Sequence, residues 1–533
     1  MPNWTCGRVA GILQAPLCGA PEIPVQGCVL DSRLACGGEI FFALPGEKVD
    51  GHAFITKAWI QGAVLAVAQR ERVLDYPEIF PVPQGKALVL VESPQAALQV
   101  LAGAWRQELG AKVIGITGSN GKTTTKDMVH AVLAQKFRVY KNKANHNNEL
   151  GLPLTILNAP ADTEMLVLEM GMRGLGEIAA LCAIARPETG VITNIGTTHM
   201  ELLGSQERIA QAKWEIAAAL PPGGVMILNA EDEWSVRKAR ENPDQAVRFY
   251  GIEGTYAEPD ILGSDLTAVG DLGTKFQVRS NHEPIMANND FGVTRAVRGT
   301  PAGGENRRGQ TLEAPGAPEA SLILTSDFGL RTSVCSEAIL PLPGRHNVLD
   351  ALAALTVGAV YGVPPAAGCR ALAQLQLSGM RLEVVPGINE SVLISDVYNA
   401  NPVSMQASLD ILKERSGQYQ TLAILGEMYE LGELSRQGHR QVGEAVARLR
   451  INGLITVGEM AADIAQGAIE AGYPGKRVFV TATRKQAVEA AANILQGSAR
   501  PIWVLIKGSR GMKMEEITAQ LRGSMHEARG SSI

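Results

Sequence analysis

Aromatic residues make up only 5% of this 533-residue chain, and cysteine is scarcer, with seven copies spread along it. None of the seven (Cys6, Cys18, Cys28, Cys36, Cys182, Cys335 and Cys369) forms a C-x-x-C pair. The sparseness argues against a disulfide-framed secreted scaffold, and the spacing against the common zinc and redox motifs; reduced structural thiols are the expectation. No run reaches the roughly 18 consecutive apolar residues of a membrane-spanning helix. Met1 to Gly19 shows no charged n-region followed by a clean apolar run, so a secretory signal is not expected. Net charge is −5, without the concentrated basic face of a nucleic-acid binder. A cytoplasmic protein is expected, with no nucleic-acid partner and no membrane insertion, in which local basic residues meet any anionic ligand.

What is present is enough apolar material, 46% of the chain, for about three domains at roughly 100–200 residues each, every one able to bury its own core. Residues 1–105 alternate short apolar runs with turns. Strands are expected at 40–44, 63–67 and 87–91, with helical stretches between. In residues 106–378, the runs 113–116, 165–168 and 191–192 are continuously apolar, as in parallel strands covered on both faces. Within this part, 281–320 is rich in Asn, Gly, Pro, Arg and Glu, has no periodicity, and reads as a flexible insertion. Residues 379–533 alternate regularly, with strands at 393–397, 422–425, 454–457, 478–480 and 502–506 and helices such as 404–415 and 485–495 between them. The fold class is therefore α/β, with parallel sheets and right-handed crossovers. Ligands of open α/β sheets sit beyond the carboxyl ends of the strands, which directs attention to the polar residues there.

The first such place is Gly115-Ile-Thr-Gly118-Ser119-Asn120-Gly121-Lys122-Thr123-Thr124-Thr125, between a strand and a helix. Backbone N–H groups of a glycine-rich turn wrap phosphate oxygens, and the helix N-terminus adds its positive end. Lys122 would reach the terminal phosphates, and the Thr123 hydroxyl would hold Mg²⁺. The strict G-x-x-x-x-G-K-[ST] spacing fails by one position, with Ile116 where its first glycine belongs. Glu169 follows the strand 165–168 and is placed for a Mg²⁺ bridging phosphates. His199 again lies just past a strand; alone it reads as structural, and near a second metal as a ligand. Lys213 lies in a helical stretch, where composition alone predicts an ordinary exposed lysine.

In this order and spacing, the G-x-x-G-x-x-G-K-T-T-T loop, Glu169, His199 and Lys213 resemble the Mur ligase family, whose members build the peptide of peptidoglycan one addition at a time. The resemblance implies a UDP-sugar domain, a central P-loop ATPase-like domain with a parallel sheet, and a Rossmann-like C-terminal domain. Further motifs are similar to the member that adds D-alanyl-D-alanine to UDP-N-acetylmuramoyl-tripeptide: Asp31-Ser32-Arg33 with Phe41 to Gly46, Asn145 to Thr155, Glu169 to Arg173, Asp396-Val-Tyr-Asn399-Ala-Asn401-Pro402, Leu425 to Gly432 and Lys507 to Arg510. In Gly344 to Asp350 the chain departs from the family, which often has asparagine where Asp350 stands. The D-N-P-R motif of the diaminopimelate-adding paralogue is absent.

By that resemblance the tripeptide carboxylate is phosphorylated by ATP, and the amine of D-alanyl-D-alanine displaces phosphate from the acyl phosphate. Gly118, Ser119, Asn120, Gly121, Lys122, Thr123, Thr124, Asn347, Arg381 and Asp396 would bind ATP, with Asn347 at the adenine. Ser32, Arg33, Asn145, Asn148, Asn399 and Asn401 would bind substrate. Thr123, Glu169, His199 and a carbamylated Lys213 would hold magnesium. Lys122, His199 and Lys213 would be the catalytic residues. Domain closure around the ligands and a monomeric state are also implied. The alternatives are another Mur-type or folylpolyglutamate-type amide ligase, or a nucleotide-binding relative without ligase activity.

Overall fold

In the computed structural model, three sheets organise the described residues, which are 4–46, 49–143, 146–198, 200–270, 273–280, 334–377, 379 and 381–523. The first sheet contains β1 (Leu17–Gly19), β2 (Cys28–Val29), β3 (Ile40–Phe42), β4 (Leu65–Gln69) and β5 (Ala87–Val91), in the order β1-β5-β4-β3-β2. Only β1 runs antiparallel to its neighbour. The expected strands at 40–44, 63–67 and 87–91 correspond to β3, β4 and β5.

The second sheet contains β6 (Lys112–Thr117), β7 (Val139–Lys141), β8 (Met165–Glu169), β9 (Thr189–Ile192), β10 (Val225–Asn229), β11 (Ala246–Gly251), β12 (Ile261–Val269), β13 (Gly273–Ser280) and β14 (Val334–Leu340). Its order is β14-β13-β12-β11-β10-β9-β6-β8-β7. From β7 to β12 all pairs are parallel; β13 and β14 close the edge antiparallel. The apolar runs of β6, β8 and β9 are buried on both faces, as their lack of alternation predicts. The chain passes from β6 to β8 on one side and then to β9 on the other. This reversal opens a crevice at the carboxyl ends of β6, β8 and β9. The expected insertion at 281–320 lies outside the described residues.

The third sheet contains β15 (Glu383–Pro386), β16 (Val392–Asp396), β17 (Gln420–Gly426), β18 (Gly453–Val457), β19 (Val478–Thr481) and β20 (Ile502–Lys507), ordered β15-β16-β20-β17-β18-β19. β16 to β20 are mutually parallel and β15 is antiparallel. The five expected strands are all there, and the helices between them run Pro402–Arg415 and Arg484–Gln496. Asn401 starts the former with a capping box shared with Ser404, and Pro402 occupies its first turn, where the lost N–H costs nothing.

Each of the three parts buries a cluster of its own, and one further cluster joins the first two. Val67, Val89, Leu98, Leu101 and Trp105 join Leu152, Ile156, Leu166 and Ile178 in one continuous cluster. The helix Pro94–Leu109 connects the first two sheets, and its apolar residues serve both. The third sheet buries its two faces in clusters of its own. Among the described residues no helix is long and apolar enough to cross a membrane.

Candidate active site

The chain leaves β6 through Gly118, Ser119, Asn120 and Gly121 and enters the helix Lys122–Leu133. Gly118 and Gly121 have φ of +150° and +81°, which side chains avoid. A Cβ on Gly118 would strike the Thr193 hydroxyl, and one on Gly121 would lie 2.5 Å from Asp350 Oδ1. The segment after β9 forms the facing wall. Ser119 N donates to Asn194 O at 3.0 Å and Asn120 N to Asn194 Oδ1 at 3.0 Å. Gly196 N donates to Ser119 Oγ at 2.9 Å. Lys122 curls over its own loop, Nζ donating to Gly118 O at 2.8 Å. Burial lowers its pKa, with Glu169 opposing. Thr124 is buried behind the loop.

Glu169, the last residue of β8, is gripped from several sides. Thr123 Oγ1 donates to its Oε2 at 2.8 Å, and Asn147 Nδ2 to its Oε1 at 2.8 Å. Asn142 exchanges two hydrogen bonds with the Glu169 backbone, at 3.0 Å each. Lys126 Nζ lies 3.7 Å from Glu169 Oε2 and has no hydrogen-bond acceptor among the described residues. Two hard oxygen donors, the Thr123 hydroxyl and the Glu169 carboxylate, thus stand together beside the phosphate loop, a donor set that suits Mg²⁺.

Lys213 departs from the ordinary reading of a helix lysine. It lies on the helix Gln206–Ala218 and is only 1% exposed. Burial and then the charge of Lys122 push its pKa well down, with Asp232 opposing. Such an amine is held toward its neutral, nucleophilic form.

Residues of the third sheet close the crevice. Arg381 Nη2 donates to Thr123 Oγ1 at 3.0 Å, with its guanidinium 4.2 Å over the Tyr398 ring. Asn401 Nδ2 donates to Asn120 Oδ1 at 2.7 Å. Asp396, at the end of β16, pairs with Lys507 and accepts from Ser408 Oγ at 2.8 Å. Burial would raise the Asp396 carboxyl, but the Lys507 charge and hydrogen bond hold it low. Asn399 turns inward on its own loop: its side chain accepts from Ala400 N at 2.9 Å, and its carbonyl from Lys507 Nζ at 3.0 Å. On the helix Arg345–Val360, His346 feels the charges of Asp396 and Lys507, and burial lowers its pKa to about 4. Asn347 is buried and donates to Pro343 O at 2.7 Å. Asp350 lies under the loop, accepting from Thr125 Oγ1 at 2.9 Å. Burial raises its pKa to about 8, against the Thr125 hydrogen bond and the Arg381 charge.

Not every expected residue reaches this cluster. Ser32 and Arg33 lie on a short 3₁₀ turn of the first sheet, with Ser32 buried and Arg33 paired to Asp31 at 2.6 Å. Asn148 Oδ1 accepts from Gly151 N, the first residue of the helix Gly151–Leu157. Asn145 and His199 lie outside the described residues. Sequence reasoning missed Asn147, Asn194 and Lys126, which hold Glu169 and the loop. Asn147 stands between two asparagines that were named, and Lys126 follows Lys122 by one helical turn; neither spacing says which side chain faces the carboxylate.

The crevice therefore offers a phosphate loop, several cations and an oxygen pair for a divalent ion, at a seam between two sheets. Models of the Mur ligase family, catalytic domain, the Mur ligase middle domain and the Mur ligase, glutamate ligase domain match residues 24–106, 116–284 and 380–510. A UDP-N-acetylmuramoyl-tripeptide--D-alanyl-D-alanine ligase of Bacillus subtilis (strain 168) is 34% identical over 93% of this chain and 93% of its own length. The crystal structure of MurF from Acinetobacter baumannii superposes with a TM-score of 0.76 at 26% identity, covering 97% of this chain and 98% of that one. MurF ligase from Thermotoga maritima in complex with ADP shares the fold, with a TM-score of 0.69 at 24% identity over 93% and 97% of the two chains.

Proposed function

This chain belongs to the Mur ligase family, and from that premise we propose the reaction, substrates and site residues that follow. The protein is an ATP-dependent ligase that joins D-alanyl-D-alanine to UDP-N-acetylmuramoyl-tripeptide and so makes the pentapeptide precursor of peptidoglycan. The observation that carries this reading is the likeness to such ligases over almost the whole chain, together with a phosphate loop that faces Arg381 and Asn401 across a sheet seam.

A carboxylate is a poor electrophile toward an amine in water. The tripeptide carboxylate therefore takes the γ-phosphoryl group of ATP, giving an acyl phosphate and ADP. The amine of D-alanyl-D-alanine then attacks the acyl carbon, loses a proton, and releases phosphate as the amide bond forms. The chain's work is positioning and charge stabilisation. Lys122 would exchange its contact with Gly118 O for the terminal phosphates. Arg381 sits beside Thr123, ready to meet charge on the transferring group. Gly118 to Thr124 would cradle the phosphates, with Asn347 and Asp396 bordering the nucleotide from the seam.

Magnesium would be held by Thr123 and Glu169, with His199 and Lys213 completing the set. When bound it would offset negative charge on the phosphates. An unmodified Lys213 ammonium would repel the ion. Its burial beside Lys122 favours the neutral amine that adds carbon dioxide, and the carbamate so formed would attract the ion instead. Ser32 and Arg33 would hold the UDP moiety, and Asn145, Asn148, Asn399 and Asn401 the peptide. The three parts are 1–105, 106–378 and 379–533, in keeping with one sheet in each. The protein acts in the cytoplasm, as a monomer.

The test is phosphate release with ATP, Mg²⁺, UDP-N-acetylmuramoyl-tripeptide and D-alanyl-D-alanine, leaving out one component at a time. Release that needs all four and yields the UDP-pentapeptide is the expected outcome. Turnover without D-alanyl-D-alanine, or only with another amine, removes the substrate assignment.

A further inference from the structure

Lys126 is a buried charge that the proposed chemistry leaves unexplained. It lies one turn beyond Lys122 on the helix Lys122–Leu133, is 0% exposed, and its Nζ has no hydrogen-bond acceptor among the described residues. Desolvating an ammonium is expensive unless opposite charge surrounds it. Two carboxylates do so here without bonding geometry: Glu169 Oε2 at 3.7 Å and Asp127 Oδ1 at 3.9 Å. Asp127 is itself paired with Lys141, at 2.7 Å. The four side chains form a charge-balanced chain running inward from the half-buried Lys141 to Glu169.

The grip on Glu169 is unequal. Its Oε2 accepts from Thr123, and Thr123 also accepts from Arg381. For Thr123 to offer a lone pair to a cation, its proton must turn away from Glu169. Asn147 then remains on Oε1, and on the Oε2 side the Lys126 ammonium alone remains among the described residues. A fixed positive charge at that distance does two things. It keeps the carboxylate oriented while the hydroxyl turns, and it repels a divalent ion on the same carboxylate.

We infer that Lys126 is a positioning residue that holds Glu169 for the metal and deliberately weakens metal binding, so that the ion leaves with the spent nucleotide. This rests on the reading of Glu169 as a metal ligand. Binding of Mn²⁺ in the presence of ADP, followed by calorimetry or electron paramagnetic resonance, measures both ideas separately. Lys126→Met is expected to bind Mn²⁺ about tenfold tighter or more, since a like charge is removed from a low-dielectric site. Its kcat is expected to fall, with KM for the amine unchanged. Lys126→Arg keeps the charge and is expected to retain wild-type Mn²⁺ affinity. Equal or weaker Mn²⁺ binding by Lys126→Met, or the same affinity change in Lys126→Arg, overturns the inference.

Glu169→Gln separates the two claims. If it leaves Mn²⁺ affinity intact, the metal-ligand reading fails. If it lowers affinity while Lys126→Met does not raise it, only the role of Lys126 fails. Should Lys126→Met not fold, the charge-balanced Lys126→Met/Glu169→Gln chain is expected to fold and show a cooperative melt. A double variant no more stable than Lys126→Met also overturns the inference, since Lys126 would then not be there for Glu169.

Discussion

The second sheet meets its neighbours in two opposite ways. Toward the first sheet it shares one apolar core, in which Trp4 and Trp105 meet edge to face at 5.8 Å and Trp105 Nε1 donates to Ala159 O. Asn158 adds a double clasp, accepting from Cys28 N and donating to Cys28 O, both at 3.0 Å. Toward the third sheet the contacts that matter are polar: Arg381 on Thr123 and Asn401 on Asn120, with the charges of Asp396 and Lys507 felt at His346. Apolar burial is strong and indifferent to small shifts, at about 25 cal/mol per Å². A polar pair contributes only about 1 kcal/mol net and is easily traded for water or ligand. The first junction is therefore built as a fixed joint and the second as a seam of exchangeable contacts; we propose that this seam opens and closes as ATP enters and ADP leaves.

The comparison breaks most visibly at Trp105. Trp105→Ala is expected to cost about 3–5 kcal/mol, measured by urea unfolding. The first two sheets should lose structure in a single transition. A separate early transition of the first sheet would refute the fixed joint. The seam is tested by Arg381→Ala, expected to lower kcat about 10²–10³-fold, as does loss of one charge-stabilising donor. Its stability should change by less than about 1 kcal/mol. A large stability loss with little kinetic effect would make the seam a structural interface instead. The smallest effect lies under the loop. The Asp350 pKa is raised to about 8 by burial, so the fold retains a proton that the unfolded chain releases near its ordinary carboxyl pKa. Stability from this group is present at low pH and is lost as pH rises toward about 8. Asp350→Asn keeps the Thr125 contact without the proton and is expected to be the more stable chain at pH 8, by about 1 kcal/mol or more. Thermal melts of both chains at pH 6 and pH 8 check this; a constant gap would mean the carboxyl does not titrate.

The sequence was legible where one local rule decides the outcome. β16 to β20 are continuous apolar runs separated by helices, and a parallel sheet follows from that pattern. The Gly118–Thr123 segment announces itself because positive φ and close backbone approach demand glycine there. β15 was not foreseen, since Glu383-Val384-Val385-Pro386 carries a charge and a proline and is a strand only because β16 offers it an edge. β1 and β2 are too short to show a period. The merged core was also hidden. It depends on which face of the helix Pro94–Leu109 meets which sheet, and a hydrophobic count cannot tell one partner from two. At the site, Glu169 was found from its place at a strand end. Its holders Asn147 and Lys126 were not, because their roles exist only after residues far apart in sequence are brought together.

The edge strands β13 and β14 have a practical consequence. Ser280 and Val334 stand opposite each other at the end of that antiparallel pair, so the chain leaves the sheet and re-enters it at one point. That point lies five to six strand spacings from β6, roughly 24–29 Å at about 4.8 Å per strand. It is a ready splice junction: residues 281–333 can be exchanged for a short hairpin turn or for a fluorescent reporter whose own termini lie close together. A label placed there would report on the proposed opening of the seam, and unchanged phosphate release by the spliced chain would show that the exchange spares the site.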